Sequence, residues 1–306
     1  MSKSVLDAKA LHDEATAYAW VEARLWPNGP VCPHCGGLDR ISKMRGKSTR
    51  IGVYKCYQCR KQFSVKVGTV FEDSHVPIHL WLQAVYLMCS SKKGVSSNQL
   101  HRTLGVTLKT AWFMSHRIRE AMREGRLPGG MGGEGKFVEA DETYIGGKAK
   151  NRAYKEPPPK EAVISLVERK GRVASFHVSN VTAANLKPIL VEQISPKSHL
   201  RTDESGVYWS AGEAFASHRT VNHSADEYVR GDAHTNTVEG YFSILKRGIV
   251  GIYHHVSEEH LKRYLAEFDF RYNERIALGI DDVERTSRAL RGIVGKRLTY
   301  RTTNRA

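Results

Sequence analysis

The chain has no apolar run close to the ~20 residues that a membrane-spanning helix needs. Its first residues, MSKSVLDAKALHDE, are polar and lack the apolar stretch of a secretory signal. Together these absences predict a soluble, intracellular protein. Cysteine is scarce, five in 306 residues, and in that compartment disulfides are not expected. Acidic residues are in deficit, with 32 Asp and Glu against 47 Lys and Arg and a net charge of +15. A long internal repeat and a low-complexity tail are both missing, which argues against a repeat architecture.

The positive charge is unevenly placed. Residues 1–130 carry 20 Lys and Arg against 9 Asp and Glu, whereas residues 131–306 carry 27 against 23. A basic field concentrated in the N-terminal part favours a polyanionic partner over a mere solubility surface. The length allows more than one domain.

Breaker clusters divide the chain. Leu11, Ala15, Tyr18, Val21 and Leu25 recur at helical spacing, and Pro27-Asn28-Gly29-Pro30 ends that segment. Ile51–Tyr54 and Phe63–Val67 read as strands of a small sheet, and residues 77–91 as a helix with Pro in its first turn. Pro128-Gly129-Gly130-Met131-Gly132-Gly133 marks a domain boundary. Beyond it, strand patterns at 136–145, 160–168, 171–178, 198–203 and 218–223 alternate with helical ones at 182–193, 235–249 and 257–273, which predicts an α/β layer domain. The charged stretch 148–160 between the first two of these strands reads as a surface loop.

Four of the five cysteines form two Cys-x-x-Cys pairs, Cys32/Cys35 and Cys56/Cys59, separated by 20 residues. Each pair can turn two thiolates toward one ion, and four thiolates suit a tetrahedral, closed, structural Zn²⁺ site. Two pairs at this spacing argue against a redox dithiol. The neighbours Arg45, Lys47, Arg50, Lys55, Arg60 and Lys61 are either phosphate contacts or a solvated face. Cys89, within an apolar stretch, reads as a buried, inert thiol.

Between the cysteines and the glycine break, a short helix starts at Ser96 and ends near Leu104-Gly105. Thr107 can cap a second helix from about Leu108 to Arg123. This is a helix-turn-helix pattern, with Lys109 and Thr110 at the N-terminal end of the second helix, where base contacts are usually made, and Arg117 further along it.

The second half offers carboxylates. Asp141 lies in one predicted strand and Asp203 ends another. Glu239 follows Asp203 after 35 intervening residues, on a predicted helix that carries Lys246 seven positions on. Two strand-borne aspartates and a helix glutamate can hold the divalent ions that serve phosphoryl transfer on DNA. Glu139, Glu142, Glu204 and Asp232 compete for the same roles, and surface charge would explain any of them.

Several segments resemble those of bacterial insertion-sequence DDE transposases with an N-terminal zinc ribbon, the fifteen-ninety-five or ISXO-type family. They are CPHCG, CYQCRKQFSVKVGTVF, VEADETYIGGK, RTDESGVY and, most specifically, residues 234–275. The resemblance spans about residues 30–275. It implies an RNase H-like catalytic core preceded by a small zinc ribbon and a helix-turn-helix. On this reading residues 1–72 hold the N-terminal helix and ribbon, 73–130 the helix-turn-helix region, 131–280 the catalytic domain and 281–306 a tail. The resemblance further implies Asp141, Asp203 and Glu239 as the Mg²⁺-binding triad, with Mn²⁺ as a substitute ion and Lys246 as the accompanying lysine. The implied partners are double-stranded DNA, as terminal inverted repeats and target, and further copies of the chain on DNA. The implied location is cytoplasmic and nucleoid-associated. The rival expectation is a catalytically inactive, zinc-dependent DNA-binding regulator derived from such an enzyme.

Overall fold

The computed structural model describes residues 4–123, 130–146, 160–222, 227 and 229–299. The chain begins with helix α1 (Glu14–Leu25), strands β1 (Ile41–Lys43), β2 (Tyr54–Cys56) and β3 (Gln62–Phe63), and helices α2 (Ile78–Ser90), α3 (Ser97–Leu104) and α4 (Leu108–Met122). It continues through β4 (Phe137–Gly146), β5 (Lys160–Glu168), β6 (Val173–Val178), α5 (Ala183–Gln193), β7 (His199–Asp203), the single turn α6 (Trp209–Gly212) and β8 (Ser217–Val221). Helices α7 (Asn236–Gly248), α8 (Glu258–Asn273) and α9 (Asp282–Arg291) follow. Two compact units result. One comprises Met1–Arg123 with Glu274–Ala306, the other Glu124–Asn273. Among the described residues no helix is long and apolar enough to cross a membrane. The charged stretch 148–159 and the start of the glycine break lie outside the described residues.

In the first unit, α1 begins where Asp13 Oδ2 accepts the Thr16 N–H at 2.8 Å, a side-chain cap. The antiparallel sheet β1-β2-β3 follows. Its strands differ from the sequence expectation, because Ile51 and Gly52 form a turn and residues 65–68 are likewise turn. The reason at Gly52 is local: its φ of +73° is one that side-chain-bearing residues rarely adopt, and a Cβ there would meet Tyr18 Cδ1 at 2.1 Å. Gly52→Ala is therefore expected to destabilise this unit by roughly 2–4 kcal/mol, combining backbone strain and overpacking, as urea unfolding would measure.

Helices α3 and α4 form where the capping residues predict. Ser96 Oγ accepts the Gln99 N–H at 3.1 Å, Gly105 turns the chain with a φ of +66°, and Thr107 Oγ1 accepts the Thr110 N–H at 3.1 Å. The exposure of α4 corrects one expectation. Every residue from Met114 to Arg119 is buried. Arg117, expected as a DNA contact, instead donates within the fold, to the carbonyls of Val70 (2.8 Å), Glu72 (2.7 Å) and Leu298 (3.1 Å). The guanidinium's several donors let it satisfy three loop carbonyls at once, which makes its burial tolerable. Residues 281–306, expected to be a tail, contain α9, which packs on α1, α2 and α4. Its Arg285 is buried and donates to the carbonyls of Glu274 (2.6 Å) and Cys89 (3.0 Å).

The second unit is built on a five-stranded sheet of order β6-β5-β4-β7-β8. β4 pairs antiparallel with β5 and β5 with β6, while β4–β7 and β7–β8 run parallel. Strand alternation then sorts the faces. Val138, Ala140, Ala162, Ile164 and Leu166 point to the side of α5 and α6. Ile145, Val163, Val167 and Val173 point to the side of α7 and α8, where Val238, Tyr241, Phe242 and Leu245 meet them. β5 is buried on both faces, hence its continuous apolar run. Asn273, at the end of α8, pins that helix to β6: its side chain accepts the Val173 N–H at 2.7 Å and donates to the Val173 carbonyl at 3.0 Å.

Candidate functional site

The four cysteine sulfurs Cys32, Cys35, Cys56 and Cys59 lie within 4.8 Å of one another. Cys32 Sγ and Cys59 Sγ are 3.7 Å apart, and Cys35 Sγ and Cys56 Sγ 3.8 Å. A tetrahedral zinc with Zn–S bonds near 2.3 Å places its sulfurs about 3.8 Å apart, so the cluster fits a zinc ribbon. The Cys59 and Gln58 amides hold the Cys56 thiol down to about 7, toward the thiolate a metal requires. His34 stands outside the cluster, its Nε2 3.2 Å from the Gln62 carbonyl. Cys89 is buried, as expected of an inert thiol.

The carboxylates gather on the second unit. The β4–β7 register runs to Glu139 opposite Arg201, and strand alternation beyond it puts Asp141 and Asp203 on one face of the sheet, where Asp203 acts on the Asp141 carboxyl. That face is the one covered by α7 and α8, and α7 carries Glu239 in its first turn. Local bonds fix each carboxylate. Asp141 Oδ1 accepts the Glu142 N–H at 2.7 Å, Asp203 Oδ1 the Ser205 N–H at 3.1 Å, and Glu239 Oε1 the Thr235 hydroxyl at 2.7 Å. Burial, then Glu142, and further Asp203 and Glu239, push the Asp141 carboxyl up to about 7 against the opposing Glu142 amide bond. The ligand oxygens of the three are not all within 4.8 Å of one another, so they do not make a closed single-ion cage. Lys246 is exposed on the same helix as Glu239.

The competing acids sort by partner. Asp232 is held down to about 2, first by its hydrogen bond from Arg201 (2.5 Å) and then by Arg219 (2.8 Å). Glu142 accepts the hydroxyl of buried Tyr208, on the opposite face from Asp141. Glu139 is fully buried against Arg169 at 2.6 Å. Tyr208 and the partners of Glu139 were not found in the sequence. The only available signal was parity, since Glu139 shares the strand face of Asp141. A further group, Glu161, His177 and Glu258, also has its ligand atoms within 4.8 Å; there His177 Nε2 is already 2.8 Å from Glu161 Oε2 and Glu258 is exposed.

The raised Asp141 gives a pH prediction. A carboxyl that titrates near 7 when folded and near 4 when unfolded contributes stability that is present below the unfolded value and is lost as pH rises toward the folded one. With zinc bound and no other divalent cation present, thermal stability should therefore fall between about pH 4 and pH 7, by on the order of a few kcal/mol at most. Asp141→Asn should flatten the fall. Melting curves across this range would check it, and equal slopes for both proteins would refute it.

Comparison with known proteins agrees with these features. The profile of the ISXO2-like transposase domain matches residues 131–273, and that of the transposase zinc-ribbon domain matches residues 12–62. An uncharacterized protein in transposable element ISH50 of Halobacterium salinarum is 29% identical over 266 residues, covering 80% of this chain and 86% of the relative. An uncharacterized transposase-like protein of Haemophilus influenzae is 29% identical over 104 residues, covering 34% of this chain and 83% of the relative. Among solved structures, a chain of the simian T-cell lymphotropic virus intasome in complex with PP2A regulatory subunit B56 gamma aligns with a TM-score of 0.27 at 17% identity. That alignment covers 56% of this chain and 63% of the other.

Proposed function

We propose, from its matches to the ISXO2-like transposase domain and the transposase zinc-ribbon domain, that this chain is a DDE transposase. It binds the terminal inverted repeats of an insertion sequence as a homo-oligomer, and cuts and joins DNA strands at Asp141, Asp203 and Glu239. The observation that carries the reading is the placement of two aspartates side by side on parallel strands, on the face of the sheet covered by the glutamate-bearing helix. A sheet with three antiparallel strands extended by two parallel ones, in the order β6-β5-β4-β7-β8, supports an RNase H-like core.

Asp203 and Glu239 both raise the proton affinity of Asp141, a field that favours a cation beside it, and an all-oxygen donor set suits Mg²⁺ or Mn²⁺. Such ions, when bound, stabilise charge on the attacking and leaving oxygens of a phosphoryl transfer. The protein's own part is positioning. β4 and β7 present Asp141 and Asp203 from a rigid sheet, the Glu142 and Ser205 amides orient their oxygens, and Thr235 orients Glu239. Lys246, exposed on α7, would neutralise a DNA phosphate beside them. Water first attacks the phosphodiester at the element end and frees a 3′-hydroxyl. That hydroxyl then attacks a target phosphodiester, forming a new P–O bond as the bond to the target strand's own 3′-oxygen breaks and that oxygen leaves as a 3′-hydroxyl, so no covalent protein–DNA intermediate forms.

The zinc ribbon and a helix-turn-helix made of α3 and α4 supply DNA recognition in this reading. Lys109 is exposed and Thr110 half-buried at the start of α4, where a groove-reading helix makes its contacts. The test is strand cleavage and joining with purified protein, Mg²⁺ and DNA carrying the element ends, comparing wild type with Glu239→Gln. Products from wild type alone are expected. Wild-type protein that binds the ends but yields no product with Mg²⁺ or Mn²⁺ would overturn the reading in favour of a DNA-binding regulator.

A further inference from the structure

We propose that Glu139 is a positioning residue: its carboxylate caps the N-terminus of α7 from the central strand and thereby sets where Glu239 stands relative to Asp141. This rests on the assignment of the three carboxylates above. Glu139 lies two residues before Asp141, on the same face of β4, and its side chain is 0% exposed. Its Oε2 accepts the backbone N–H groups of Thr237 (2.8 Å) and Val238 (3.0 Å). Its Oε1 accepts the Thr237 hydroxyl (2.9 Å) and Arg169 Nε (2.6 Å), and His234 Nδ1 stands 3.2 Å from it.

The first N–H groups of any helix lack intrahelical partners and are usually met by the side chain at its N-cap. Here the N-cap residue, Thr235, makes no such bond. Its hydroxyl goes to Glu239 instead. The helix start is satisfied from the sheet, by a negative charge placed where the helix dipole favours one. Arg169 closes the arrangement by also donating Nη2 to the His234 carbonyl at 3.0 Å, which ties down the chain just before α7. Glu239 is the residue after Val238, so the anchored turn is the one that holds it. The strand that carries Asp141 thus grips the helix that carries Glu239, with at most one residue between grip and carboxylate at either end.

The role needs a carboxylate. A glutamine at 139 has one acceptor oxygen and one amide NH₂, so either the helix amides or Arg169 would face a donor. The test compares full-length, zinc-loaded wild type with Glu139→Gln. Amide exchange at Thr237, Val238 and Glu239 is expected to speed at least tenfold. Affinity for Mn²⁺, counted as binding lost in Asp203→Asn, is expected to fall about tenfold, and strand cleavage at subsaturating metal with it. Zinc content and end-DNA binding should not change. Thr237→Val, which removes one bond of the grip, should show the same changes to a smaller degree and serves if Glu139→Gln does not fold. Unchanged exchange and unchanged Mn²⁺ affinity in both variants would overturn the proposal. Failure of the underlying reading looks different: wild type itself would show no Mn²⁺ binding sensitive to Asp203→Asn.

Discussion

Asp203→Asn protein is expected to bind end DNA as wild type does and to cleave and join strands more slowly by roughly 10³-fold or more. The substitution keeps the shape of the side chain and its bond from the Ser205 amide. What it removes is a charge from the pair formed with Asp141 across adjacent parallel strands. A second consequence separates this effect from misfolding. Asp203 is one of the carboxylates that push the Asp141 carboxyl up, so its neutralisation should lower that value from about 7. With zinc bound and no other divalent cation present, the variant should then be more stable than wild type near neutral pH, while losing any stabilisation by Mg²⁺. Loss of activity together with a gain in Mg²⁺-free stability is the signature of a site built to hold a cation, in which function is purchased with local strain. A variant that joined ends at the wild-type rate would remove Asp203 from the proposed site.

Much of this frame was legible beforehand, for identifiable reasons. The strands of the second unit alternate or run apolar according to whether one or both faces are covered. Ser96 and Thr107 announced the starts of α3 and α4 because a capping hydroxyl is a local device. What stayed hidden is burial of polar residues. The helix α9 buries Arg285, Thr286 and Ser287 beside only Ala289 and Leu290, so apolar periodicity cannot see it. Arg117 looked like a DNA contact because a buried guanidinium on backbone carbonyls has no sequence signature. The same limit applied to the acids. Strand alternation puts Glu139 and Asp141 on one face, but only the structure shows that Arg169 and the α7 amides occupy Glu139 while Asp141 faces other carboxylates.

The zinc ribbon should fail as a unit when one thiolate is removed. Cys56→Ser is expected to lower zinc content from one equivalent per chain to none and to weaken end-DNA binding at least ~100-fold at moderate salt. The size of the effect follows from how little else holds this region. Its buried cluster consists of Cys32, Cys56 and Phe63, with Trp26, Ile41, Tyr54, Cys59 and Val67 partly buried against them. Two of the three fully buried members are themselves ligands, and the sheet has strands of only three, three and two residues. A core that small cannot offset the chain entropy of its loops, whereas a structural zinc site contributes about 10–16 kcal/mol in comparable small domains. The five-stranded sheet has its own two-sided core and should keep its secondary structure and its Mn²⁺ binding. Zinc analysis, fluorescence anisotropy with end DNA and circular dichroism on the same preparation would distinguish the outcomes. If Cys56→Ser bound end DNA as tightly as wild type, recognition would have to reside in α3 and α4 alone, and Lys109→Ala should then produce the loss instead.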